Sequence, residues 1–252
     1  MHRRTLLVTL TLGFALLATL PASARQTGLT LDQVLAKHYE AIGGKDAWKK
    51  VQAIKQTGKM SMAGMVAPFT VHNVRPNKLR IEFEIQGMKG MQVFDGTDGW
   101  MVMPFMGSSD PQPLPKEALD QMLSDADIEG ALIDYQDKGH QVELVGQEDL
   151  EGTPVYHLRV KLKSGNKMDY LLDAEHFVTL QTTAKTSFQG TEMETTSKLS
   201  NYKQVAGLML PYSMVATNAM GEQVMTVDTI EINPTIDEAL FSKPAAAPPG
   251  AR

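Results

Sequence analysis

The chain contains no cysteine. That absence excludes a disulfide framework, a thiol nucleophile and any cysteine-ligated metal. It also removes the residue that would accept a bacterial lipid anchor. Aromatic residues are sparse, at 6%, and only two of them are tryptophan. Histidine is scarce too: His2, His38, His72, His140, His157 and His176 are the full set, and no two share the i, i+4 spacing of a helical metal site. No G-x-S-x-G, phosphate-binding loop, H-E-x-x-H or dinucleotide fingerprint occurs. Basic tracts are missing, and the net charge is −5, which disfavours nucleic acid as a partner. Asp125, Asp127 and Glu129 lack the glycine and distal glutamate of a calcium loop and read as a solvated helix end. Glu82 and Glu84 alternate with apolar residues and are expected to face water. The expectation is therefore no catalytic set, no metal and no cofactor.

Long apolar runs are absent except at the start. Arg3 and Arg4 precede an apolar stretch over 6–20, and Ala22-Ser23-Ala24 ends it with a cleavage-type triplet. This pattern reads as a secretory signal peptide over 1–24, too short and wrongly flanked for a membrane span. Its loss removes Arg3 and Arg4, lowering Lys+Arg from 24 to 22 against 29 Asp+Glu, so the mature net charge becomes −7. A soluble periplasmic protein is expected. Without disulfides its stability must come from core size, which a chain of this length can supply.

The patterning that is present is mostly of period two. Leu79, Ile81, Phe83 and Ile85 alternate with Arg80, Glu82, Glu84 and Gln86, giving a strand with one dry and one wet face. Comparable segments predict strands near 53–62, 65–74, 78–86, 90–95, 99–103, 140–148, 154–163, 166–173, 177–188, 191–203, 208–218 and 222–232. Helical signals are few. Thr30 and Gln33 form a capping box for a helix over 29–42, with Leu29 and Val34 placed as a hydrophobic staple and Gly43-Gly44 as the stop. A short helical turn is expected over 45–50. The segment 111–115 reads as a proline-rich linker to a helical stretch over 116–127, with a further helical or irregular piece over 128–135. Nothing after Lys243 can pack, so 244–252 is expected to be disordered. There is no strand–helix alternation. The predicted architecture is mainly β: one long, curved antiparallel sheet forming a partial barrel, with helices against its apolar concave side and residues 25–243 making one domain.

Two features point to a ligand. Methionine is over-used, with 16 residues against 8 phenylalanines. Flexible, polarizable side chains suit a wall that must adapt to mobile apolar chains, although each one is also ordinary core filler. The arm 99–106, Gly-Trp-Met-Val-Met-Pro-Phe-Met, is apolar on both faces, so one face could pack on a core and the other could border a cavity or lid. The candidate lining residues are Ile81, Phe83, Ile85, Met91 and Val93. Trp100, Val102, Met122, Met193 and Met209 complete the set.

The stretch 74–105, from Val-Arg-Pro-Asn through the Asp-Gly-Thr-Asp-Gly-Trp hairpin to Met-Pro-Phe, is similar to the corresponding region of the LolA-like periplasmic lipoprotein carriers. The opening 38–60 and the closing 232–244 resemble the broader outer-membrane lipoprotein-sorting-like group. The resemblance implies an unclosed antiparallel barrel around an apolar cavity, capped by helices. It also implies a carrier or binder of lipoprotein acyl chains or similar lipids, with inner- or outer-membrane receptor proteins as possible partners and a monomeric state. Arg75 matches the arginine that, in the carriers, holds the helical lid by hydrogen bonds, and 116–135 would be part of that lid. The chain departs from the carriers in its length, its Gly-Gly helix pair and the Met103 that stands where carriers have Asn before Pro-Phe. The alternative reading is an envelope sensor or assembly module that works through protein–protein contacts and carries no ligand.

Overall fold

A computed structural model describes residues 28–62, 64–188 and 191–244. The expected signal peptide, 245–252 of the expected tail, and the turn at 189–190 lie outside the described residues. The first helix, α1 (Leu31–Ala41), begins where the capping box predicts. Thr30 Oγ1 accepts from the Gln33 amide at 3.3 Å, and Gln33 Oε1 accepts from the Thr30 amide at 2.9 Å. It is followed by α2 (Lys45–Lys49) and, much later, by α3 (Lys116–Asp125).

Most of the remaining described residues are strand. In chain order these are β1 (Ala53–Met62), β2 (Met65–Val74), β3 (Lys78–Ile85), β4 (Met88–Phe94), β5 (Gly99–Met103) and β6 (Ser108–Pro113). After α3 come β7 (Gln141–Leu150), β8 (Thr153–Lys161), β9 (Lys167–Asp173), β10 (Thr179–Phe188), β11 (Thr191–Val205), β12 (Leu208–Asn218) and β13 (Gly221–Ile232). All 13 form one antiparallel sheet in the order β6-β5-β4-β3-β2-β1-β13-β12-β11-β10-β9-β8-β7. The end strands β6 and β7 do not pair with each other, so the barrel is unclosed. The mainly β, unclosed architecture expected from the sequence is the one observed.

Strand β6 corrects one expectation. Residues 111–113 belong to an edge strand, with Trp100 opposite Pro113 and Met101 opposite Gln112. Proline cannot donate to a ladder, but an edge strand has one side with no neighbour, so Pro111 and Pro113 are tolerated there.

The sheet curls because its two halves must meet the same short segment. Side chains alternate between faces along each strand, and the register carries one face across all 13 strands. On the helix-facing face, Leu79 and Phe94 pack with Met122 and Ala126. Tyr156, Leu158 and Leu172 pack with Ala131, Leu132 and Val34. Ile54, Leu210 and Ile230 pack with Ile128 and Ile133 between them. In a flat sheet, β3 and β9 would stand about 34 Å apart, seven strand spacings. Six residues, 126 to 132, span about 20 Å at most. Both ends of the sheet therefore bend toward the 126–133 segment, and the helix-facing side is the concave one.

Candidate ligand-binding cleft

The 126–133 segment is held from below by Arg75. Its Nε donates to the Val51 carbonyl at 2.5 Å, and its Nη2 donates to the Trp48 carbonyl at 3.1 Å and to Glu129 Oε1 at 2.6 Å. The guanidinium thus ties the end of the α2 region to the run of turns that crosses the sheet after α3. Its planar fork makes this three-way bridge possible, and lysine could not reproduce it. Lys138 adds a second tie through Asp127 and the Gly130 carbonyl. Asp127 and Glu129, which the sequence presented as a solvated helix end, are thus ion-paired within this crossing.

α3 lies against β3 and β4 through Leu119, Met122 and Ala126. Its other side looks across a gap to β9 and β10. The gap holds about 180 Å³ and is bordered by Glu117, Gln121, Asp125, Met168 and Ala184. Ligand pockets of drug-sized molecules run to roughly 300–1,000 Å³, so the cleft is narrow with α3 in this position. Asp125 stands in it with water still reaching its carboxylate, while surrounding protein pushes its pKa up to about 6, partly offset by a hydrogen bond from Gln121. A second depression of about 340 Å³ lies outside the helices beside Asp32, Tyr39, Lys45 and Asp134. It is polar, and Lys45 and Lys49 pair with Asp134 at its edge.

Beyond the helices the concave face is incompletely covered, and across β1, β2, β3, β12 and β13 it is mostly apolar, with Gln223 donating to Met60 Sδ at 3.5 Å. Met60 stands opposite Met225, and Met225 opposite Met214, so three methionines form a row across β1, β13 and β12. All three are half-buried. Facing residues in such a row have Cβ atoms about 5 Å apart, so their side chains touch and shift together. Beside the row, Phe69 is buried over Gly58, where an added Cβ would meet its ring at 2.9 Å. Phe83 lies over Gly90 and tilts against Phe105 with ring centroids 5.8 Å apart. A side chain at Gly90 would strike the Phe83 and Phe105 rings, and one at Gly58 would strike the Thr226 carbonyl as well as the Phe69 ring.

The structure divides the ten sequence-derived lining residues. Ile81, Phe83, Ile85 and Met193 lie on the concave face by register, and Met122 points from α3 into the packing beneath it. Met91, Val93, Trp100, Val102 and Met209 lie on the opposite face. Leu79 stands opposite Phe94, and Gly99 opposite Phe94, which sets Val93 and Trp100 with Arg80 on the outside. The double-sided apolar arm has a different explanation from a cavity. Met101 packs under α3 inside, while outside, Val93 and Val102 are buried on the face against which the 3-10 turn Glu238–Phe241 sits. There Arg80 Nη1 donates to the Leu240 carbonyl at 2.7 Å and Phe241 is buried. Nothing in the local sequence marks Met60, Met214, Met225, Phe69 or Phe105 as lining residues: strand register brings the first four together, and the turn 104–106 sets Phe105 against Phe83.

Among the described residues, no group of three or more acidic or histidine side chains is placed to hold a metal ion. No helix there is long and apolar enough to cross a membrane. Comparison with known proteins follows the shape and not the sequence. No protein-family model matches the chain, and no curated protein matches it. A domain named for outer membrane lipoprotein sorting, from Vibrio parahaemolyticus, aligns with a TM-score of 0.56 at 15% identity, covering 84% of this chain and 95% of that one. A LolA superfamily protein from Nitrosomonas europaea aligns with a TM-score of 0.57 at 15% identity, covering 85% and 99%. A DUF1329 family protein from Desulfovibrio piger aligns equally well, at 0.57 and 11% identity, covering 85% and 98%. With one uninterrupted antiparallel sheet curled around a crossing run of turns, and solved structures of that shape aligned over most of its length, the chain has the LolA-like fold.

Proposed function

We propose that this protein is a non-catalytic, exported binder or carrier of lipid acyl chains, which occupy the concave face from the open methionine row to the space under α3. The observation that carries the reading is the half-buried row Met60–Met225–Met214, bordered by Phe69 and Phe83 and left uncovered by the helices. A solid core would bury these side chains; a polar ligand would not favour them. Burying an acyl chain gains about 0.8 kcal/mol per methylene. The present cleft is too narrow for a whole chain, so loading displaces α3 and loosens the Arg75–Glu129 tie. Arg75 is then the latch, and 116–135 the lid. The leader over 1–24 supports export to the periplasm, and the fold shared with a lipoprotein-sorting domain supports lipoprotein acyl chains among the ligands. A receptor in either membrane is the natural source and sink for such a cargo.

The test is native mass spectrometry of the exported protein, with lipid extraction. The expected result is co-purifying acyl lipid, depleted in the Met60→Ser/Met214→Ser/Met225→Ser variant. A protein that carries no lipid, takes up no fluorescent fatty acid and instead holds a protein partner overturns the reading in favour of a sensor or assembly module.

A further inference from the structure

The same end of the sheet turns repeatedly, and its turns share a pattern. Along β5 to β12 the strands neighbour one another in the order β5-β4-β3-β2-β1-β13-β12 and alternate in direction. The connections β5–β6, β3–β4, β1–β2 and β12–β13 therefore all fall on one rim. Each places an apolar residue beside glycine: Met106-Gly107, Gly87-Met88, Gly64-Met65-Val66 and Met220-Gly221. Four of these apolar side chains are among the most exposed in the protein, Met220 at 80%, Met106 at 76%, Val66 at 65% and Met65 at 46%. The turns of the opposite rim carry Arg75-Pro76-Asn77 and Asp95-Gly96-Thr97-Asp98, which are polar and internally hydrogen-bonded.

We infer that the methionine rim docks on a lipid bilayer, with its turns entering the headgroup region of an uncharged membrane surface. Three observations choose this partner. The turns recur every second strand, about 10 Å apart, as separate points along a curve. A folded protein partner needs a continuous, shape-matched patch of about 800 Å², whereas a fluid bilayer can close around each point separately. At these four turns there is no excess of cationic side chains, since Lys59 and Lys89 are offset by Glu84 and Glu222, so attraction to anionic lipid is not what holds them; the β8–β9 turn with Lys163 and Lys167 lies further along the same end of the sheet. Finally, β1, β12 and β13, which carry the inner methionine row, reach this rim, so an acyl chain leaving the bilayer would meet that row within a few residues of the edge, past Ala216 and Gln223. The inference extends the lipid reading above but stands on separate residues.

The experiment is flotation of the full-length mature chain with phosphatidylcholine vesicles, at low and high salt. The wild type is expected to co-float with little salt dependence. Met106→Ser/Met220→Ser is expected to lose about tenfold in partitioning per side chain removed. Peroxide oxidation is a second perturbation, because the sulfoxide makes the same side chains polar, with peroxide reduced to water. A fluorescent fatty acid supplied in solution reports the inner cleft independently. Loss of flotation with retained fatty-acid uptake in the double variant supports docking by the rim. A wild type that does not float, or a double variant that floats equally well, overturns the docking proposal whether or not the cleft binds. Salt-sensitive flotation, or self-association abolished by the same substitutions, also overturns it, in favour of a charge-driven surface or a contact with a second copy.

Discussion

At the scale of single residues, Arg75 and His38 carry the most testable consequences. Arg75 satisfies two carbonyls and one largely buried carboxylate, so Arg75→Leu leaves Glu129 without its partner inside the fold. A loss of about 2–4 kcal/mol is expected, with hydrogen-exchange protection falling first over 126–133. Arg75→Leu/Glu129→Leu should recover part of it, and equal losses in both variants would show that the pair contributes nothing. His38 is buried at 5% exposure, accepts no visible counter-charge, and its Nδ1 lies 2.8 Å from the Phe177 carbonyl. That geometry makes Nδ1 the donor and the ring neutral. Burial holds the His38 pKa below its ordinary 6.5, against the opposing pull of the carbonyl. Below pH 6.5 the unfolded chain takes up a proton that the folded chain refuses. Stability therefore falls as the pH drops from 6.5 to the folded-state pKa, and is fully present above 6.5. His38→Gln should flatten this part of the pH–stability curve in chemical denaturation; an unchanged slope would place the acid sensitivity elsewhere, His72 being the other buried histidine with a lowered pKa.

At the scale of elements, the helices differ in what their loss would do. α3 rests on the sheet through Met122, which is 3% exposed, and a few neighbours. Met122→Ala is expected to cost about 2–5 kcal/mol locally, freeing α3 in hydrogen exchange while β8 and β9 stay protected. If α3 is the lid, the same change should speed fatty-acid uptake. The capping box on α1 is a smaller device, and Thr30→Ala should cost about 1 kcal/mol, read as a shift in the denaturation midpoint. Much at this scale was legible in sequence. Alternation along 79–86 and the Gly-containing turns located nearly all the strands, because a half-buried strand repeats its environment every two residues. β6 was not legible, because its prolines read as a linker until its position at the sheet edge is known.

At the scale of the whole molecule, three hydrophobic clusters share the segment 126–133, which makes the sheet's two halves depend on one another. Ile133 is fully buried in the central cluster. Ile133→Ala should lower the midpoint of a single cooperative transition by about 2–5 kcal/mol of stability, monitored with probes on both halves. Separate transitions for β3–β5 and β8–β9 would show that the halves fold independently.

The sequence by itself determined the strand-rich class, the capped first helix, the lack of disulfides and the abundance of soft apolar side chains, since composition and local periodicity act within a few residues. Tertiary structure decided which methionines face the cleft. Trp100 and Val102 look like lining residues in the sequence and lie on the outer face, while Met60, Met214 and Met225 meet on the inner one. The reason is register: one residue of slip exchanges the two faces of a strand, and register is set by pairing between residues as far apart in sequence as Ile54 and Ile232, or Met60 and Met225, which no local pattern reports.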